Sequence, residues 1–211
     1  MTNYGMIPMG EFHVAIIRAV LLLTLAGAPL AAQAPGERII PSGTVREGTL
    51  SFDGRATAGD FTGTTTSVTG ELHGGALAEV RGWVEAQVKT LATGNQRRDR
   101  DLNRSMESGK YPTIRFELTG VDAPEAMTDS MNVVLHGRFI IHGVTRAATI
   151  PASVAFHPEG IRVHALTPLN LEDYKIGGLT KMLGMLKMHE EIAVRIDLVF
   201  GSTEPSPQAL R

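Results

Sequence analysis

The chain has 211 residues, of which 43% are apolar and 20% charged, and its net charge is −2. That length supports one sizeable domain with its own core, and the near-neutral balance creates no field that would draw nucleic acid or an anionic membrane. Cysteine is absent, which excludes disulfides, thiolate metal sites, a cysteine nucleophile and a lipid-modified N-terminal cysteine.

Residues 1–34 are laid out as an export signal. Arg18 precedes the apolar run "AVLLLTLAGA", Ala19 to Ala28, which is too short to cross a bilayer in comfort. "PLAAQA", Pro29 to Ala34, offers small residues for cleavage after Ala32 or Ala34. A cut after Ala32 avoids leaving Pro35 at the new N-terminus. The segment before Arg18 is long for such a signal, so Met6 and Met9 are alternative starts. The expected mature protein is periplasmic or secreted, with a barrel domain over 43–200 and a polar, frayed tail over 201–211.

After the signal, strand patterns dominate. "EGTLSFDGRA" (Glu47–Ala56) alternates and then turns, and "DFTGTTTSVTGEL" (Asp60–Leu72) is rich in threonine, which favours strands. In "AEVRGWVEAQVKTL" (Ala78–Leu91), Val80, Val84, Ala86 and Val88 share one face, opposite Arg81, Trp83, Glu85, Gln87 and Lys89. "GNQRRDRDLNRSMES" (Gly94–Ser108) breaks that period. Asn95 can cap a short charged helix there, with Leu102 and Met106 on one face and Arg97 placed to pair with Asp101. Its plainest reading is a solvated connector rather than an anion site.

Strands resume at Pro112–Val121, with Ile114, Phe116 and Leu118 on one face. Met131–Gly143 follows, with Val133, Leu135, Phe139 and Ile141 aligned. Thr145–Phe156 aligns Ala148, Ile150, Ala152, Val154 and Phe156, and Pro151 on the opposite face marks a bulge or an unpaired amide. Ile161–Ile176 is a further strand run. "GGLTKMLGMLKMHE" (Gly177–Glu190) then places Leu179, Met182, Leu183 and Leu186 at helical spacing, widened by Met185 and Met188, which predicts an amphipathic helix. Glu191–Phe200 closes the fold. About eight strands and two short helices, each with one apolar face, predict an all-β antiparallel barrel or sandwich. The many small apolar residues suit a closed barrel with room inside.

Three stretches in order carry a family resemblance. They are "LSFDGRATAGDFTGTTTSVTGELHG", "VKTLATGNQRRDRDLNRSMESGKYPTIRFELTGV" with its Arg-Asp-x-x-Leu helix and Tyr-Pro-x-Ile-x-Phe strand, and "LHGRFIIHGVTRAATI". Over roughly Gly43 to Phe200 the chain resembles the YceI-like family of exported, lipid- or polyisoprenoid-binding proteins. The resemblance implies an extended eight-stranded antiparallel lipocalin-like barrel whose elongated apolar cavity holds an isoprenoid or other long-chain lipid. It implies no cofactor and no catalytic residues. A homodimer is compatible with such a barrel, and no nucleic-acid partner is expected.

On that basis the cavity wall is Val84, Val88, Phe116, Leu135, Phe139, Ile150, Val154, Leu169, Val194 and Leu198, and the lid is Met182, Leu183 and Leu186. Each wall residue taken alone equally suits a filled core; it is the resemblance that makes the set a wall. Lipid transfer has a physical engine, since each methylene moved from water into an apolar cavity contributes about 0.8 kcal/mol.

Catalysis has less behind it. The seven histidines show no His-x-His or His-Glu-x-x-His spacing. His136 and His142, six apart, are the best metal candidates, but His142 at a Gly-Val-Thr corner reads more simply as a turn residue bonded to local backbone. "GELHGG" lacks the Lys-Ser/Thr of a phosphate loop. Three functions stay open: an exported lipid carrier, an enzyme acting on a hydrophobic substrate, and an envelope-stress or respiratory accessory protein that stores a quinone-like molecule.

Overall fold

A computed structural model describes residues 39–57, 59–125, 127–177, 180–181 and 186–202. The expected export signal, residues 1–34, and the residues after 202 lie outside it. Strands β1 (Gly43–Gly54), β2 (Phe61–Thr65), β3 (Val68–His73) and β4 (Arg81–Gln87) are followed by helix α1 (Gln96–Ser105). Then come β5 (Thr113–Asp122), β6 (Ser130–Ile141), β7 (Val144–His157), β8 (Gly160–Asn170), two-residue strands β9 (Thr180–Lys181) and β10 (Leu186–Lys187), and β11 (Glu191–Ser202).

The strands run in the order β11-β8-β7-β6-β5-β4-β3-β1, and β11 pairs back to β1 along its length. Eight antiparallel strands therefore close a barrel. β2 is the ninth strand and lies beside β1. β1 serves both neighbours: Gly43 and Thr44 pair with β3, while Leu50–Gly54 pair with β2. The threonine-rich run thus splits in two at Thr66 and Ser67. Gly63 permits the β2 crossing, because a Cβ there would run into the Phe52 ring.

The alternation within β4 to β7 is realised as read. Ile150, Val133, Ile141 and Ala86 point inward and are buried. Pro151 is exposed on the outer face, and the β7–β8 ladder begins at Ala152, the next residue. β6 pairs with β7 across Pro151 with no register shift. The proline therefore marks an unpaired stretch rather than a bulge. From Pro151 back to Val144, β7 has no partner in β8; the residues of β8 beyond Ala165 pair only with β11.

Two readings are corrected. The strand through Ala78–Leu91 is shorter than its pattern: β4 stops at Gln87, and Val88–Thr90 form a 3₁₀ turn. The second helix does not form where it can be seen. Leu186 pairs with Lys181 and Lys187 with Thr180 as an antiparallel ladder, and Met188 bridges to Ala56. His189 donates its amide to the Arg55 carbonyl at 2.8 Å. Pairing with neighbouring backbone overrides the helical spacing of a short apolar run, which is ambiguous between the two states. Leu179, Met182 and Leu183 lie outside the described residues, as does the side chain of Leu186.

Candidate functional site

The barrel is closed at one end by local backbone. Ile40 and Gly75 exchange both backbone hydrogen bonds at 2.9 Å, and the Gly74 amide donates to Ser42 Oγ. Ile40, Leu72, Leu77 and Val80 line the floor above that seal. Above the floor, an almost wholly apolar inner chamber of about 140 Å³ is walled by inward residues of β1, β4 to β8 and β11. Phe116 and Phe139, cross-strand partners on β5 and β6, pack side by side on its wall with ring centroids 5.0 Å apart.

A second chamber of about 590 Å³ lies toward the opposite end and shares Leu50, Ile114 and Phe139 with the first. Phe52, Phe61, Leu169, Ile192 and Val194 supply its apolar walls. Leu171, Ile176 and Met188 come from the segments flanking β9 and β10, and Leu102 and Met106 from α1. The larger chamber is in the range that holds drug-sized ligands.

Seven of the ten sequence-derived wall residues line the inner chamber: Val84, Phe116, Leu135, Phe139, Ile150, Val154 and Leu198. Leu169 and Val194 line the outer one, together with Phe139. Val88 lines neither. Its side chain is fully buried, because the 3₁₀ turn carries it out of the strand alternation and into solid core.

Sequence reasoning missed α1 as a chamber wall. Leu102 and Met106 share one face, and that face is what covers the chamber. The helix is fixed at its start by Asn95, whose Oδ1 accepts from the amides of Arg97 and Arg98 at 3.0 and 3.2 Å. Asp99 accepts from the amide and hydroxyl of Thr93 at 2.8 and 2.6 Å. Ala92 bridges to Thr64, which ties this approach to β2. Asp101 pairs with Arg104 at 3.1 Å, whereas the sequence pointed to Arg97 as its partner. Arg97, Arg98, Asp101 and Ser105, with Asn95, form a polar rim on the α1 side of a mouth that is otherwise apolar but for Thr57.

The histidines do not converge. His136 is on the outer face of β6, while His142 and Gly143 form the β6–β7 turn with φ of +52° and +73°. The turn breaks strand parity, so His142 does not share a face with His136. Its ring is buried and edge-on to Tyr111, and Nδ1 bonds the carbonyl of Tyr174 at 3.0 Å rather than any local backbone group. Nε2 lies 3.3 Å from Glu107 Oε1 without hydrogen-bond alignment.

On the outer surface, His136 Nε2 meets Asp122 at 2.7 Å and its Nδ1 lies 3.5 Å from Thr149 Oγ1. This row resembles a triad in order only. It is exposed, and its hydroxyl contact is too long for an activated nucleophile. Among the described residues no three His, Asp or Glu side chains cluster as a metal site.

The chain's fold has solved counterparts. BcnA of Burkholderia cenocepacia superposes with a TM-score of 0.61 at 15% identity, over 72% of this chain and 95% of that one. A polyisoprenoid-binding domain from Saccharophagus degradans, implicated in plant cell wall breakdown, superposes with a TM-score of 0.62 at 15% identity, over 77% and 99%. No curated protein matches the sequence. The profile of the YceI-like domain matches residues 44–200, nearly all of the barrel. The chain belongs to the YceI-like domain family.

Proposed function

We propose that this protein is an exported carrier, periplasmic or secreted, that holds a polyisoprenoid or quinone-like long-chain amphiphile in the two joined chambers. The observation that carries the reading is a continuous apolar interior that is sealed at Ile40–Gly75 and widens toward α1. Such a shape rewards a long, thin, apolar guest, because every buried methylene adds about 0.8 kcal/mol without needing a polar contact. The Saccharophagus domain, which has the same fold, is described as polyisoprenoid-binding. The start of the sequence, with Arg18, its apolar run and "PLAAQA", supports export.

Native mass spectrometry of protein purified from its own host, followed by organic extraction, tests the reading. A stoichiometric adduct with the mass of a prenyl lipid or quinone is expected. Protein recovered empty that also fails to retain a fluorescent polyprenyl probe would remove the carrier function.

A further inference from the structure

The barrel wall is not stitched evenly. β7 and β8 are paired only from Ala152↔Ala165 down to His157↔Gly160, at the floor end. Toward the outer chamber, Val144–Pro151 and Leu166–Asn170 run on as the two lips of a seam. Among the described residues no further strand pairs with either lip on that side.

Two prolines keep the seam unpaired. The Phe156 amide donates to the Asp129 carbonyl, on the β6 side, so by alternation the odd-numbered residues of β7 turn their backbone groups toward β8. The Leu171 amide donates to the Glu190 carbonyl, on the β11 side, so the even-numbered residues of β8 turn theirs toward β7. A continued register would set Pro151 against Leu166 and Thr149 against Pro168. Each of those rungs lacks one amide donor, because a proline nitrogen carries no hydrogen. The seam is shut all the same. Ile150, Thr167 and Leu169, the inward residues beside it, are 1%, 7% and 8% exposed. Side chains close this part of the wall, where a ladder closes the rest.

The seam also lies along both chambers, since Ile150 and Ala165 line the inner one while Leu169 and Leu171 line the outer one. Its outer end is crossed by a strap, Leu171–Ile176, that leads from β8 back to the β6–β7 turn. His142 Nδ1 bonds the Tyr174 carbonyl there at 3.0 Å, and Arg146 Nε donates to the Asp173 carbonyl at 2.9 Å. A chain loaded end-on must thread past Leu50, Ile114 and Phe139 one unit at a time. A chain loaded broadside needs only the strap to lift and the lips to part. We infer that long hydrocarbon chains enter and leave the barrel sideways, through the seam between β7 and β8, when the strap releases from His142 and Arg146. This rests on the carrier reading and assigns the route by which that same site is loaded.

The chain has no cysteine, so Thr149→Cys with Leu166→Cys places one exposed thiol on each lip for a short bismaleimide to bridge. The test follows two fluorescent prenols on the full mature chain, one short enough for the outer chamber and one long enough to reach the floor. Bridging should slow association and release of the long prenol roughly tenfold or more, and leave its equilibrium affinity within about twofold. The short prenol, which the mouth beside α1 admits, should change in rate by less than about twofold. The same variant capped at each thiol with N-ethylmaleimide should load as wild type does, which reports that the substitutions leave the barrel intact. Arg146→Ala frees one tie of the strap and should speed release of the long prenol by about threefold or more. A bridged protein that loads the long prenol at the wild-type rate would place entry at the mouth and overturn the seam route, while leaving the carrier reading in place. A bridge that weakens equilibrium affinity in step with the rate would overturn it as well, since the lips would then be a binding wall and not a passage. Wild-type protein that binds neither prenol would remove both readings together.

Discussion

His142 Nδ1 lies 3.0 Å from the carbonyl oxygen of Tyr174, a buried contact between residues 32 apart in sequence. It spans the stretch where β7 and β8 are not paired. Arg146 makes a second link nearby, with Nε 2.9 Å from the Asp173 carbonyl and Nη2 3.0 Å from its carboxylate. Segment Leu171–Ile176, which supplies Leu171 and Ile176 to the outer chamber, is thus held to the β6–β7 turn by side chains rather than by a sheet ladder. His142→Leu should destabilise the barrel by about 2–3 kcal/mol, since it orphans a buried carbonyl and places a branched side chain at φ +52°. Asn tolerates that backbone and can donate, so His142→Asn should cost less than half as much. Urea unfolding of both variants decides it: equal losses would mean that the hydrogen bond contributes nothing.

Gly143, next in the same turn, has φ +73°, and a Cβ built on it would come 2.6 Å from Tyr111 Cε1. Gly143→Ala therefore meets two penalties, one in the backbone and one against the ring. The variant should lose about 2 kcal/mol or more. In a Tyr111→Ala background the same substitution should lose only the backbone part, about 1 kcal/mol. A double-mutant cycle that shows no coupling would place the whole cost in φ.

What the sequence discloses follows from the range of the forces involved. The inward faces of β4 to β7 are legible because period-two burial is written locally: Ile114, Phe116 and Leu118, or Ile150, Ala152 and Val154, need no knowledge of their partners. Val88 misleads because its turn is set by a distant contact, its amide donating to the Pro112 carbonyl at 2.8 Å. Leu186 misleads because a short apolar run suits either state, and it is the bridge from Met188 to the distant Ala56 that goes with the extended form. Leu102 and Met106 were visible as a pair, but what they cover depends on the path of the chain from β2 through Ala92. The partner of His142 is likewise non-local, so a turn residue was legible and its buried role was not.

On the outside of the barrel, Glu117 accepts from Arg138 Nε at 2.6 Å and from Arg115 Nε at 3.1 Å. First Arg138 and then Arg115 hold its carboxyl below the ordinary value of 4.5. A carboxylate with a lowered folded value contributes stability that is fully present above the unfolded value and is lost as pH falls through the folded one. Glu117→Gln should therefore be less stable than wild type by about 1 kcal/mol or less from neutral pH down to about 4.5. The difference should shrink in more acidic solution. A gap that is constant across that range, or that widens with acid, would show that the pair's charge is not what is being measured.

The junction between the chambers offers the most direct reading of ligand depth. Leu50, Ile114 and Phe139 are the residues common to both walls, so anything that reaches the floor near Leu72 and Val80 must pass them. Ile114 is only partly buried and lines this space from β5, as Leu50 does from β1. A tryptophan forced into solid core would strain its neighbours and cost about 1–3 kcal/mol. Placed at an open junction, the same ring fills space that nothing else occupies and leaves the melting temperature close to that of wild type. Ile114→Trp should then split prenyl probes by length. Chains short enough to stay in the outer chamber keep their affinity, while longer ones lose the methylenes that would lie below the block, at about 0.8 kcal/mol each. In wild-type protein affinity should instead keep rising with chain length until the inner chamber is full. Titrating a series of prenols against both proteins measures the two slopes. If they coincide, the inner chamber takes no part in binding, and the ligand is held by the outer chamber alone.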